Sequence, residues 1–441
     1  MRLIENGRAR SAFLVLALSL LMAGDAWRYT LGWWTFGVLG VAMAVASVWL
    51  LVVARDRWRV STLPYPVLAF MVLATLSLAW SHYRLATLLG LLTTWLIAIA
   101  AVAIAVTYSW SEILNGLSLL LRWVLGLSLA FELFVSVVLQ RPVLPLFTQP
   151  GVDYSIYDTL PKMLYWSRNE LFQVFDAGRI QGIVGNANHL GFLALIATIV
   201  FCLQLADRTV KRRWGAFWLA IAAVALVFTR SATVTAALVA VVFVALAVVL
   251  MRRARSSRQR SLTIAGILAV IAVGITAIVL LHSTLLGLLG KSDDLTGRVG
   301  IWEKVIALAQ QRPAVGWGWV SYWVPWAEPF DTLAFRNGVR QLQAHNAWLD
   351  LWLQLGIIGI IVFAAIVLSS LQRSWSFATD RPQSSPAGPL PYAAAALFPL
   401  LLLVALLVQS AAESRMLVEF GLFFVIVIAV KTKPGNRQSV L

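Results

Sequence analysis

The chain of 441 residues is 60% hydrophobic and only 12% charged, with a mean hydropathy of +0.83. Soluble domains carry about one-quarter charged residues, so this composition excludes a soluble globular protein and points to an integral membrane protein. The net charge of +16 is no argument for a nucleic-acid partner, because Lys and Arg of polytopic proteins gather in cytoplasmic loops.

The N-terminus joins a basic stretch, MRLIENGRAR, to the apolar SAFLVLALSLLMAG. More apolar segments follow at once, so it reads as an uncleaved first transmembrane helix rather than a signal peptide. Twelve apolar segments follow one another at 11–25, 31–53, 63–81, 86–106, 114–140, 187–206, 214–230, 232–251, 261–281, 346–370, 390–410 and 415–430. Most approach the roughly 20 residues a helix needs to cross a bilayer. Barrel strands would be shorter and alternate in polarity, and the sequence has no such alternation. The fold expected is therefore all-α, with about 12 transmembrane helices. Cys202, the single cysteine, cannot form an intramolecular disulfide.

With the N-terminus inside, twenty Lys and Arg fall in cytoplasmic loops and tails, against Arg28, Arg84, Arg230 and Arg415 in the short loops opposite. The densest inner cluster is Arg252, Arg253, Arg255, Arg258 and Arg260. This asymmetry places both termini in the cytoplasm. Five regions result: helices 1–5 in 1–140, a first outer loop at 141–186, helices 6–9 in 187–281, a large outer loop at 282–345, and helices 10–12 with the tail in 346–441. In the large loop, 298–312 (RVGIWEKVIALAQQR) sets Val299, Trp302, Val305, Ile306 and Ala309 on one face, predicting an amphipathic helix at the membrane surface. GWGW (Gly316–Trp319) predicts a tight turn, and a membrane-interface belt is the expected place for most tryptophans of 302–326.

The outer loops carry no His–x–x–x–His, Cys–x–x–Cys or nucleotide-binding signature. Asp293–Asp294 reads more readily as a solvated turn than as a hard-cation site. Arginines at the outer boundary carry more information: Arg179 before the sixth segment, Arg230 between the seventh and eighth, and Arg298 in the large loop. Charge so close to hydrocarbon is paired or functional, or else snorkels to phospholipid phosphates. Several guanidiniums facing one cavity would suit a multiply anionic group, since their forks match phosphate oxygens. Asp176 is the acid nearest Arg179 in sequence, and Asp293 or Asp294 the nearest to Arg298.

Of four histidines, His82 and His282 stand at segment ends without supporting pattern, and His189 in GNANHLG fits a packed helix residue better than a site residue. His345 opens QAHNAWLDLWLQLG's apolar span, with no acid one turn away to hold it protonated. A neutral imidazole beside cations suits general-base work, and a capping or packed histidine is the alternative.

Five stretches in order, RIQGIVGNANHLG (179–191), FTRSATVTAAL (228–238), TGRVGIW (296–302), RPAVGWGW (312–319) and HNAWLDLWLQLGIIG (345–359), resemble the O-antigen ligase and polymerase superfamily. Thr229–Arg230–Ser231 stands where the pattern often has Ser–Arg–Gly. The resemblance implies a GT-C-like glycosyltransferase of the bacterial inner membrane with its active site in the periplasm, working without metal or other cofactor and with inversion. It implies a polysaccharide donor on a polyprenyl diphosphate and, for a ligase, a lipid A–core acceptor. In that scheme Arg179, Arg230 and Arg298 bind the diphosphate, His345 is the base, and Asn346, Asn188 and His189 support the substrate. The chain's length and modest second loop look more like a ligase than a polymerase. A transporter of a lipid-linked anion is the alternative from another class, with Glu132 as its candidate intramembrane charge.

Overall fold

The computed structural model describes residues 7–148, 152, 154–280, 298–336, 339–380 and 392–434. His282, Lys291, Asp293, Asp294, Arg381 and most of the 380–391 linker lie outside the described residues. The helices are α1 (Gly7–Met22), α2 (Gly24–Leu31), α3 (Trp33–Val53), α4 (Tyr65–Leu76), α5 (Arg84–Thr107), α6 (Trp110–Phe134) and α7 (Ala187–Ala206). They continue as α8 (Arg212–Thr229), α9 (Ala232–Arg253), α10 (Ser257–Leu280), α11 (Arg298–Ala309), α12 (Ala347–Thr379), α13 (Phe398–Ser410) and α14 (Glu419–Lys431). The strands described are the two-residue pair β1 (Phe335–Arg336) and β2 (Val339–Arg340). This is the all-α membrane protein that composition predicts.

The twelve apolar segments each contain a helix, but the helices are not equivalent. Among the described residues, seven are long and apolar enough to cross a membrane, or eight if α1 and α2, bent by 84°, form one broken span. Helices α4 and α13 are shorter, each beginning at a proline within its first turn, where the missing N–H costs no hydrogen bond. Helix α14 is buried all round, from Phe420 to Lys431, as expected of an apolar helix enclosed by protein rather than lipid. It packs against α5, and Lys431 at its end caps the carbonyls of Ala105 and Tyr108 at 3.2 and 2.6 Å. By contrast α10 turns Leu262, Leu268 and Val273 outward.

Helix starts follow local chemistry. Ser109 and Glu112 form a reciprocal capping box for α6. Asn186 caps α7 through the His189 amide, and Asn346 caps α12 through the Trp348 and Leu349 amides.

Helix α12 is broken at Gly356, whose φ is 67°. Loop 312–318 fills the break: Trp317 and Gly318 amides donate to the Leu353 and Gln354 carbonyls at 3.0 and 2.9 Å, and the Ile357 amide donates to Pro313 at 2.8 Å. A β-carbon on Gly356 would lie 2.2 Å from the Ala314 carbonyl, and one on Gly316 would lie 2.5 Å from the Gln354 backbone. Two of the sequence motifs therefore meet through glycines that permit backbone contact.

The expected belt of tryptophans is corrected by this packing. Trp319 and Trp323 are fully buried, and Trp319 Nε1 donates to Thr94 Oγ1 at 2.8 Å. Trp302 donates to the Ala344 carbonyl, and Trp326 alone among the five is exposed. A helix is present there as α11, but the face it buries runs through Ile301, Val305 and Ala309, and the predicted Val299, Trp302 and Ile306 are only half-buried. Ile301, Val305 and Ala309 share a small apolar cluster with Trp323, Phe330 and Leu353, which seats the second long connection on the bundle end.

A Gly356→Ala substitution combines a left-handed backbone, which costs a side-chain-bearing residue about 1–2 kcal/mol, with a direct clash. It should lower the unfolding temperature in detergent by several degrees, whereas Gly266→Ala, in open space on α10, should not. Equal melting of the two variants would contradict the interlock.

Candidate active site

One end of the bundle gathers the start of α7, the break between α8 and α9, the start of α11, the start of α12 and the 411–418 connection between α13 and α14. Two candidate residues there sit in left-handed backbone: Arg230 at φ 45° and His345 at φ 52°. Such strain in non-glycine residues concentrates where structure over-determines position, functional sites included.

The residue on which these ends converge is Glu413. Its Oε1 accepts from Arg298 Nη2 at 3.1 Å and from Asn188 Nδ2 at 3.0 Å. Its Oε2 stands 3.1 Å from His345 Nδ1 and accepts from Gln343 Nε2 at 3.3 Å. Asn188 Oδ1 in turn receives Arg179 Nη2 at 2.7 Å and Ser231 Oγ at 3.0 Å. Arg179, Asn188, Arg298 and His345 thus belong to one hydrogen-bonded cluster. Asp350 clamps its frame, accepting from the Ala344 amide at 2.9 Å and from the Ser414 hydroxyl, the neighbours of His345 and Glu413.

Glu413 corrects the sequence expectation about His345. The histidine has an acidic partner, supplied from 68 residues away. Burial alone would push the Glu413 carboxyl up, but His345, Arg298 and Arg415 outweigh it and hold the group at about 2. An ionised carboxylate can only accept, so Nδ1 of His345 carries its proton towards Glu413. Gln341 Oε1 lies 3.0 Å from Nε2, and the Gln341 amide nitrogen is committed to Val339 O at 2.9 Å. Both ring nitrogens therefore face acceptors in this arrangement.

Arg179 sits where cations crowd. Burial first, then Arg168, Arg298 and Arg336, push its guanidinium down to about 10. Its Nε is held by the Thr229 carbonyl at 2.8 Å. Arg298 Nε is buried without a partner among the described residues, an uncommitted donor in a cationic site.

The loop bearing Arg179 is anchored by acids that are not part of the cluster. Glu132 accepts from the Gln181 and Gly182 amides at 2.8 and 2.7 Å and from Ser167 Oγ at 2.7 Å. Glu170 accepts from the Arg179 amide at 3.0 Å, the place the sequence gave to Asp176. Glu132 is thereby a loop anchor at the end of α6 rather than a charge lining a path through the bundle.

Three expected residues stand apart. The Arg230 guanidinium is exposed and donates to the Val174 carbonyl, although Thr229 and Ser231 on either side touch the cluster. His189 is 2% exposed and stacks on Phe420 at 5.4 Å, the packed role rather than substrate support. Asn346 uses its oxygen as the α12 cap and its amide on Ala411 O at 3.4 Å, not on the His345 ring. Glu413 itself escaped the sequence analysis, hidden in AAES between two apolar segments. The available signal was its rarity: an acid in a short break on the side bearing the arginines.

Fold and site together define a multi-pass α-helical membrane protein with a buried Arg–Glu–His cluster at one end of its bundle. Residues 215–364, about a third of the chain, match the family described as O-antigen ligase. That stretch holds Arg230, Arg298, His345 and Asn346; Arg179, Asn188 and Glu413 lie outside it. The chain is also 28% identical over 201 residues to the exopolysaccharide production protein ExoQ of Rhizobium meliloti (strain 1021), covering 43% of this chain and 45% of that protein. Over these parts of its length the chain is similar to the O-antigen ligase family and to an exopolysaccharide production protein.

Replacing Glu413 by Gln leaves Arg298 and His345 buried beside a neutral amide, and breaking such a pair costs about 3–5 kcal/mol. Because the folded-state carboxyl is held below its ordinary value, its stabilisation is complete above about pH 4.5 and is lost only as pH falls through about 2. The gap in unfolding temperature between wild type and Glu413→Gln should stay constant from pH 7 to 5. A gap that closes by pH 5 would contradict the clasp.

Proposed function

We propose that the protein is a membrane glycosyltransferase that moves a glycan from a polyprenyl-diphosphate carrier to a sugar hydroxyl, and that the cluster around Glu413 is its active site. The observation that carries this is the convergence of Arg298 and His345 on one buried carboxylate, with Arg179 joined to it through Asn188, all three being motif residues. The likeness to the O-antigen ligase family supports the substrate class, a lipid-linked polysaccharide.

In the reaction, the acceptor hydroxyl oxygen attacks C1 of the donor sugar while the bond from C1 to the phosphate oxygen breaks. Polyprenyl diphosphate leaves with its electron pair, and Arg179 and Arg298, joined by Arg230 from its exposed position, stabilise the charge that develops on it. The acceptor proton passes to Nε2 of His345, where the hydroxyl displaces Gln341. Glu413 holds the Nδ1 proton, orients the ring and stabilises the imidazolium that forms. Attack opposite the leaving group inverts the anomeric centre. The arginines take the part that a cation plays in other diphosphate chemistry, so the scheme uses no metal.

The acceptor in this reading is lipid A–core, making the protein an O-antigen ligase of the bacterial inner membrane, with both termini cytoplasmic and the site periplasmic. The excess of basic residues at the bundle end opposite the site supports that orientation. Polymerisation is the second reading, favoured by the likeness to an exopolysaccharide production protein. The chemistry is shared, and only the acceptor differs.

Purified protein given lipid-linked donor and lipid A–core should form ligated product, unaffected by EDTA. Longer lipid-linked glycan formed without lipid A–core would establish the polymerase instead. His345→Ala should lower the rate at least 10²-fold with donor binding retained. Donor binding lost together with activity in His345→Ala would place His345 in the diphosphate site rather than as the base.

A further inference from the structure

The end of the bundle opposite the Glu413 cluster has a cavity of about 880 Å³, lined by Arg252, Arg253, Arg255, Arg260, Asp380 and Tyr392. It lies at the far end of α12, roughly 50 Å of helix from His345 for 33 residues at 1.5 Å each. Arg252 builds its wall: Nε donates to Ala378 O at 2.7 Å, Nη2 to Ala393 O at 3.2 Å, and the guanidinium covers the Tyr392 ring at 4.6 Å. The other three arginines are exposed, and no ion pair joins them to a carboxylate among the described residues. Residues 381–391, outside the described set, contain no Asp or Glu to supply one. Four guanidiniums thus face a single lining acid. Both helices that meet here also turn apolar side chains outward beside the arginines, Leu246 and Leu250 on α9 and Leu262 on α10.

A cytoplasmic excess of basic residues accounts for arginines being present at this end. It does not account for their convergence on one concavity with an aromatic wall. We infer that this cavity is a binding site for the phosphate-bearing headgroup of an anionic phospholipid, with the acyl chains along the outward faces of α9 and α10. Arginine forks suit phosphate oxygens, and basic pockets between membrane helices take such headgroups. The inference is independent of glycosyl transfer.

The test uses the full-length purified protein and native mass spectrometry with added cardiolipin, phosphatidylglycerol, phosphatidylethanolamine or inorganic pyrophosphate. Cardiolipin and phosphatidylglycerol should bind at least tenfold more tightly than phosphatidylethanolamine. Arg253→Gln/Arg255→Gln/Arg260→Gln should weaken them about tenfold; all three side chains are exposed, so folding should be unaffected. Arg55→Gln/Arg57→Gln/Arg59→Gln, equally basic but away from the cavity, should change binding less than twofold. Equal loss in both triple variants, or no loss in the first, would overturn the site. Pyrophosphate binding as tight as the anionic lipids and competitive with them would overturn the lipid source in favour of a soluble phosphate.

Discussion

The buried carboxylate of Glu413 is the constraint on which the site depends. It receives two cations or donors on each oxygen, drawn from α7, α11 and the entrance to α12. Those elements are separated in sequence by 68 to 225 residues, so no local preference could bring them together. In the low-dielectric end of a membrane bundle, neither the carboxylate nor the arginines would be tolerated alone. Each makes the burial of the others affordable, and the strained His345 backbone is held by the same contacts.

A second constraint fixes where His345 points. Helix α12 begins at the Asn346 cap and breaks at Gly356, where loop 312–318 completes the broken hydrogen-bond ladder. Asp350, between those two points, accepts from the Ala344 amide and the Ser414 hydroxyl, the neighbours of His345 and Glu413. The short outer piece of α12 is therefore rigid at both ends. That rigidity suits a site whose reacting groups need placement within fractions of an ångström. The Glu132 anchor does the same for the loop that carries Arg179.

Much of this was legible in the sequence. Hydropathy located the apolar segments, though not α2 between the first two, and a helix over 298–309 was visible as a local signal. Arg179, Arg298 and His345 stood out because charge at a membrane boundary needs a reason. What sequence could not supply was pairing at long range. Glu413 looked like a break between segments, and His345 looked partnerless because its acid lies on another helix connection. Asn346 and His189 drew attention by proximity to motifs, whereas their contacts are a helix cap and an aromatic stack. The tryptophans were misplaced for a related reason: composition alone cannot distinguish an interfacial ring from one buried under a loop, as Trp319 and Trp323 are.

The central claim is that the cationic cluster, and not some other part of the bundle, holds the diphosphate of the carrier lipid. Its most direct measure is the affinity of polyprenyl diphosphate, without glycan, for wild type, Arg179→Gln, Arg298→Gln and His345→Ala in detergent. The account predicts at least tenfold weaker binding for each arginine variant and near wild-type binding for His345→Ala, whose partner is the acceptor. Undiminished binding by both arginine variants would contradict it.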